Sequence, residues 1–167
     1  GDRPPEDLQA LERQLDALLA LKVNVNRASP KSGAPLGWLV WSGKTNVFRR
    51  LLAAGADPNS VSPEGIPLLW VLARFHHQYP DDEGFKTIAL ANARALLLAG
   101  ANPNVEWTGT TPLNVALESS PEMVQLLLDF KADPNRRNGS GRTALEHLAV
   151  VRGVSDSGFP SKEALAQ

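Results

Sequence analysis

Apolar residues recur at three- and four-residue spacing along most of this chain, and one short turn sequence interrupts them at regular intervals. Between residues 5 and 21, Leu8, Leu11, Leu15, Leu18 and Leu19 share one stripe with charges between them, the pattern of an amphipathic helix whose apolar side needs a neighbour. That helix runs into Leu18-Leu19-Ala20-Leu21-Lys22-Val23-Asn24-Val25-Asn26. The same string, better kept, is Leu51-Leu52-Ala53-Ala54-Gly55-Ala56-Asp57-Pro58-Asn59, then Leu96 to Asn104, then Leu126 to Asn135. Each copy reads as the end of an apolar helix followed by a turn, so the chain is built by repetition.

A second marker interleaves with the first. A proline followed by leucine opens an apolar stretch at Pro35-Leu36, Pro67-Leu68 and Pro112-Leu113, and Ala144-Leu145 stands in the same place. Proline is tolerated in the first helical turn because its missing N–H would have no intrahelical partner there, so these are helix starts. Positions 35, 67, 112 and 144 lie 32, 45 and 32 residues apart, while Asn26, Asn59, Asn104 and Asn135 lie 33, 45 and 31 apart. Two independent markers agree on a period near 33, with one longer unit.

A turn, a helix opened by Thr-Pro-Leu, a second helix ending in Leu-Leu-x-x-Gly-Ala-Asp-x-Asn and a return loop, repeated at this period, resemble the ankyrin repeat. Gly109-Thr110-Thr111-Pro112-Leu113-Asn114-Val115-Ala116 matches best. The resemblance implies an all-α solenoid of helix-turn-helix units in one domain over residues 1–167. Its parts are an N-terminal cap over about 5–26, repeats over about 27–59, 60–104 and 105–135, and a C-terminal unit over about 136–167. Two features depart from the family pattern. The histidine after Thr-Pro-Leu is replaced by Gly37, Leu69, Asn114 and Glu146, so its hydrogen bond to neighbouring turns is missing or improvised. The glycine that ends the second helix is Lys22 and Lys131 in two units; a side chain in a left-handed backbone there would cost on the order of 1 kcal/mol, and a slight distortion of both loops is expected. In the longer unit, helices are expected from Pro67 to about Phe75 and from about Lys86 to Ala99, with residues 76–85 projecting as an extended loop around Pro80 and Gly84. A short closing helix is expected at Ser161-Lys162-Glu163-Ala164-Leu165 with Ser161 as N-cap.

Composition changes this picture little. The balance of 17 basic and 18 acidic residues gives no basic face for nucleic acid, no apolar run reaches the ~18 residues of a membrane helix, and there is no cysteine for disulfide or thiol chemistry. A monomer is expected. The chain opens with Gly1 and its one methionine is Met123, which leads to the expectation of a processed, periplasmic or secreted form, with a cytoplasmic protein as the alternative.

Candidate chemistry is sparse. Gly139-Ser140-Gly141 mimics a dinucleotide fingerprint but lies in an inter-repeat turn, without the strand that motif needs. His76, His77, Asp81 and Asp82 would have to hold the metal of a hydrolase using the 76–84 loop, yet adjacent histidines point apart and lack the spacing of a ligand set. No catalytic residue, metal or cofactor is assigned. The tryptophans are the better signal. In the ankyrin arrangement, first helices and return loops line a concave side, and on that frame Trp38, Trp41, Trp70, Arg74 and Glu118 share the first-helix face while Trp107 stands in a return loop beside it. Tyr79 rims the same side from the long loop. Packing of these rings in the core is the competing reading. The expected function is a non-catalytic module that binds a partner protein through Trp38, Trp41, Trp70, Arg74, Tyr79, Trp107 and Glu118. Within that class, an Ala-, Leu-, Arg- and Pro-rich chain without its initiator suggests a bacterial inhibitor such as an immunity protein for a secreted toxin, the alternative being an adaptor or host-directed effector fragment.

Overall fold

The first helix, α1 (Pro5–Ala20), carries the leucine stripe and ends in the first copy of the recurring turn. Three helix pairs follow in this computed structural model: α2 (Pro35–Leu39) with α3 (Thr45–Ala53), α4 (Leu68–Gln78) with α5 (Glu83–Leu98), and α6 (Pro112–Ala116) with α7 (Pro121–Asp129). Then α8 (Ala144–Val151) opens the last unit. The structure describes residues 5–28, 33–40, 42–78, 82–118 and 120–151, the side chains of residues 5–9, Leu11 and residues 75–78 aside. The expected closing helix at residues 161–165 lies outside them.

Each first helix packs on the second helix of its own unit, α2 on α3, α4 on α5 and α6 on α7, and the later first helices also pack on one another, α4 on α6 and α6 on α8. The second helices form the other layer, α3 on α5 and α5 on α7. The core between them is built of the residues that recur at one position per unit. Leu36, Leu68 and Leu113 after the prolines and Leu51, Leu96 and Leu127 of the second helices are all buried, with Phe48, Leu72 and Met123 filling the gaps. Leu145, at the same place in α8, is 76 % exposed because no described residues stack over it.

The asparagine of the recurring turn stitches one unit to the next. Asn26 Oδ1 accepts the Asp57 amide at 2.7 Å and its Nδ2 donates to the Gly55 carbonyl at 2.9 Å. Asn59 accepts the Asn102 amide at 2.8 Å, and Asn104 accepts that of Asp133 at 2.7 Å. The Asp or Asn two residues earlier caps its own turn by accepting the amide of the stitching residue, as Asn24, Asp57 and Asn102 do. Within the recurring turn, one residue thus orders its own turn and the other holds the following unit.

The lysines in the glycine position adopt the left-handed conformation, φ 51° at Lys22 and 68° at Lys131, where the other units use Gly55 and Gly100. The missing histidine is improvised twice. Asn114 and Glu146 reach back to the amides of Thr111 (3.1 Å) and Thr143 (2.6 Å), closing capping boxes at α6 and α8. Gly37 solves the problem differently: a Cβ there would lie 2.8 Å from the Val61 carbonyl, so its lack of a side chain lets the next return loop approach α2.

The longer unit differs from expectation. Helix α4 continues to Gln78 and α5 begins at Glu83, so most of the added residues lengthen the two helices. Asp82 explains the early start of α5, since its carboxylate accepts the Phe85 amide at 3.1 Å as an N-cap. Gly84 falls in the first turn, where a helix tolerates it, and does not break the period.

Candidate partner-binding surface

The side of the molecule formed by first helices and return loops is shaped by two hairpin-like turns. Residues 61–67 close with the Ser62 amide donating to the Ile66 carbonyl at 2.8 Å. Trp107 and Thr110 exchange both amide–carbonyl bonds at 2.9 Å across Thr108 (φ 48°) and Gly109 (φ 76°), a two-residue turn of the type that needs positive φ at both central positions. The next loop comes so close that the Gly139 amide donates to the Gly109 carbonyl, and a Cβ on Gly109 would meet Gly139 Cα at 2.9 Å.

Trp38, on α2, is 55 % exposed, the large ring this side presents most openly among the described residues. Val61, at 44 % exposure, stands at the base of the neighbouring turn whose carbonyl abuts Gly37. Sequence reasoning passed over Val61, although it precedes Pro67 by six residues much as Trp107 precedes Pro112 by five. Trp107 is half-buried in its turn.

Trp70 corrects an expectation. It is 5 % exposed, its ring lying in the interior of the stack with its Nε1–H on the Thr110 hydroxyl at 3.0 Å. The competing reading, core packing, holds for this ring. Its neighbour Ala73 is likewise buried. Arg74 is exposed, with its guanidinium carbon 5.4 Å from the centroid of Trp70, so the cation covers the outer face of the ring. Glu118 is exposed at the end of α6, and its Oε1 lies 3.2 Å from His147 Nε2 on α8. Trp41 and Tyr79 lie outside the described residues, and the side chains of His76 and His77 are not described.

Two carboxylates on this side are held ionised by their own turns. The Ser62 hydroxyl, 2.6 Å away, and a backbone amide pull the Glu64 carboxyl below its ordinary range. The Thr143 amide and then its hydroxyl do the same for Glu146. Both groups serve the turns and face solvent, as caps do. Among the described residues no group of three or more His, Asp or Glu side chains is placed to hold a metal, and no helix is long and apolar enough to cross a membrane.

Comparison with known proteins agrees with the repeat frame. Residues 88–157 match the family model for ankyrin repeats (3 copies). A 62-residue stretch is 47 % identical to the BTB/POZ domain and ankyrin repeat-containing protein NOOT1 of Medicago truncatula, and a stretch of the same length is equally identical to COCH of Pisum sativum. Each match covers 35 % of this chain and 13 % of the relative, so the chain spans a small part of the length of these proteins.

Proposed function

We propose that this chain, an ankyrin-repeat protein, binds another protein through the side formed by its first helices and return loops, with Trp38 at the centre of the contact. Ankyrin repeats are a protein-interaction scaffold, and a stitched stack offers a preformed surface whose binding costs little ordering entropy. The observation that carries the reading is the exposure of Trp38: a 55 % exposed indole beside an exposed valine is apolar area that water solvates poorly. Trp107, Arg74 and Glu118 flank it, and Trp41 and Tyr79 belong to the same proposed surface. Buried Trp70 anchors the turn that carries Trp107 through the Thr110 hydroxyl.

The finer proposal is that the partner is an enzyme or toxin whose activity is suppressed on binding, as by an immunity protein. An adaptor would bind and leave its partner active. The experiment is affinity capture with the wild-type chain and with Trp38→Ala as control, followed by assay of the captured partner with and without saturating chain. A partner retained equally by both chains refutes the surface. A partner retained only by the wild type, and fully active while bound, refutes inhibition alone.

A further inference from the structure

The second-helix layer carries a feature of a different kind on the opposite side. A groove of about 630 Å³ runs across α3, α5 and α7, floored by Leu90, Ala91 and Leu126. Arg49 and Arg94 stand on its α3–α5 wall and Glu122 and Asp129 on its α7 wall. In the repeat frame the two arginines occupy one register, each ten residues before the stitching asparagine of its unit, Asn59 and Asn104. Gln125 holds that register before Asn135.

The charges balance in number but not in place. On the α7 wall, Asp129 accepts the Gln125 amide at 2.8 Å and Glu122 faces the Ser120 hydroxyl at 3.5 Å. Arg49 and Arg94 are exposed and take part in none of the ion pairs among the described residues, whereas their neighbour Arg50 is paired with Asp16. An arginine left unpaired beside an apolar floor is a strong and directional donor site for a carboxylate.

We propose that this groove is a second docking site, for an acidic amphipathic helix of a partner protein. The spacing selects the helix. Packed helices lie about 8–10 Å apart, which sets the separation of two arginines on adjacent helices at one register. Residues seven apart on a helix are separated by about 10.5 Å along its axis. A helix crossing α3 and α5 therefore places glutamates at i and i+7 over Arg49 and Arg94 and leucines at i+3 and i+4 on Leu90 and Ala91. Its binding is independent of Trp38, which stands on the other layer.

The test uses a fluorescein-labelled helical peptide with Glu at i and i+7 and Leu at i+3 and i+4, a matched peptide with both Glu replaced by Lys, and vesicles of phosphatidylserine. The acidic peptide is expected to bind, more weakly as salt is raised, with about tenfold lost for each of Arg49→Ala and Arg94→Ala and no change for Trp38→Ala. Helical content and melting temperature confirm that the arginine variants are folded, and Arg49→Lys tests the planar fork, being expected to recover only part of the affinity. Equal binding of the basic peptide, retention of affinity in the folded double arginine variant, or binding to the vesicles without binding to the peptide overturns the proposal.

Discussion

The indole N–H of Trp70 donates to the hydroxyl of Thr110 at 3.0 Å, and that hydroxyl donates in turn to the Trp107 carbonyl at 3.0 Å. A ring in the interior of one unit is thereby tied to the turn that presents another ring from the next. Trp70→Phe keeps most of the apolar volume and removes the donor, so a loss of about 1 kcal/mol is expected in urea unfolding. Thr110→Val, which breaks the same chain of bonds, should cost a similar amount. Because the two changes share a partner, the double variant should lose less than their sum.

Trp38→Ala should behave in the opposite way. More than half of that side chain is already in water, so its removal is expected to move stability by no more than about 0.5 kcal/mol. As the centre of the proposed contact it should weaken partner binding by about 2 kcal/mol or more, near thirtyfold in Kd. Titration calorimetry with a captured partner, alongside thermal unfolding, separates the two effects. A large loss of stability would show that the ring is needed by the fold.

How far the sequence disclosed this molecule follows from which constraints repeat. The asparagine stitch and the proline helix starts recur once per unit, so spacing alone located both layers. Lys22 and Lys131 departed from glycine, and both take the left-handed backbone that Gly55 and Gly100 take at that position. The loop of the longer unit was misread because breakers were weighed without caps. Pro80 and Gly84 looked like the limits of an irregular segment, but an Asp82 carboxylate facing the Phe85 amide starts a helix there all the same. The surface was harder to read. Trp38 and Trp70 occupy the same position after their prolines, yet one is 55 % exposed and the other 5 %. What separates them is the neighbour: α4 packs closely on α6 and meets the Thr110 hydroxyl, and among the described residues no such partner covers Trp38. A residue forty positions away in sequence decides that difference, which no local pattern contains.

Thr108 is a β-branched residue at φ 48° in a turn that favours Asn-Gly, and the backbone strain there is on the order of 1 kcal/mol. Thr108→Asn should therefore stabilise the protein by up to about 1 kcal/mol, raising the urea midpoint without changing the slope. Gly109→Ala should do the reverse. It places a side chain at φ 76° and sets a Cβ 2.9 Å from the Cα of Gly139, whose amide is bonded to the Gly109 carbonyl. Since the contact is with backbone, the neighbouring loop must move. A loss of more than about 2 kcal/mol, with weaker protection of the Gly139 amide in hydrogen exchange, is the expected result.

Glu146 accepts the Thr143 amide and hydroxyl, and these bonds favour its ionised form, lowering its pKa below the ordinary 4.5. A carboxyl whose pKa is lower in the folded chain than in the unfolded one adds stability that is fully present above the unfolded value, and that contribution disappears as pH falls through the folded value. Glu64, held by the Ser62 hydroxyl, acts in the same direction. Stability should thus be flat near neutrality and decline below about pH 4.5. Glu146→Gln keeps an acceptor for the Thr143 amide but not the charge, so it should be less stable than the wild type at pH 7. The melting temperatures of the two should then converge as the pH drops below the folded pKa of Glu146. If the gap between them is the same at pH 7 and at pH 3, the carboxylate is not what holds the cap of α8.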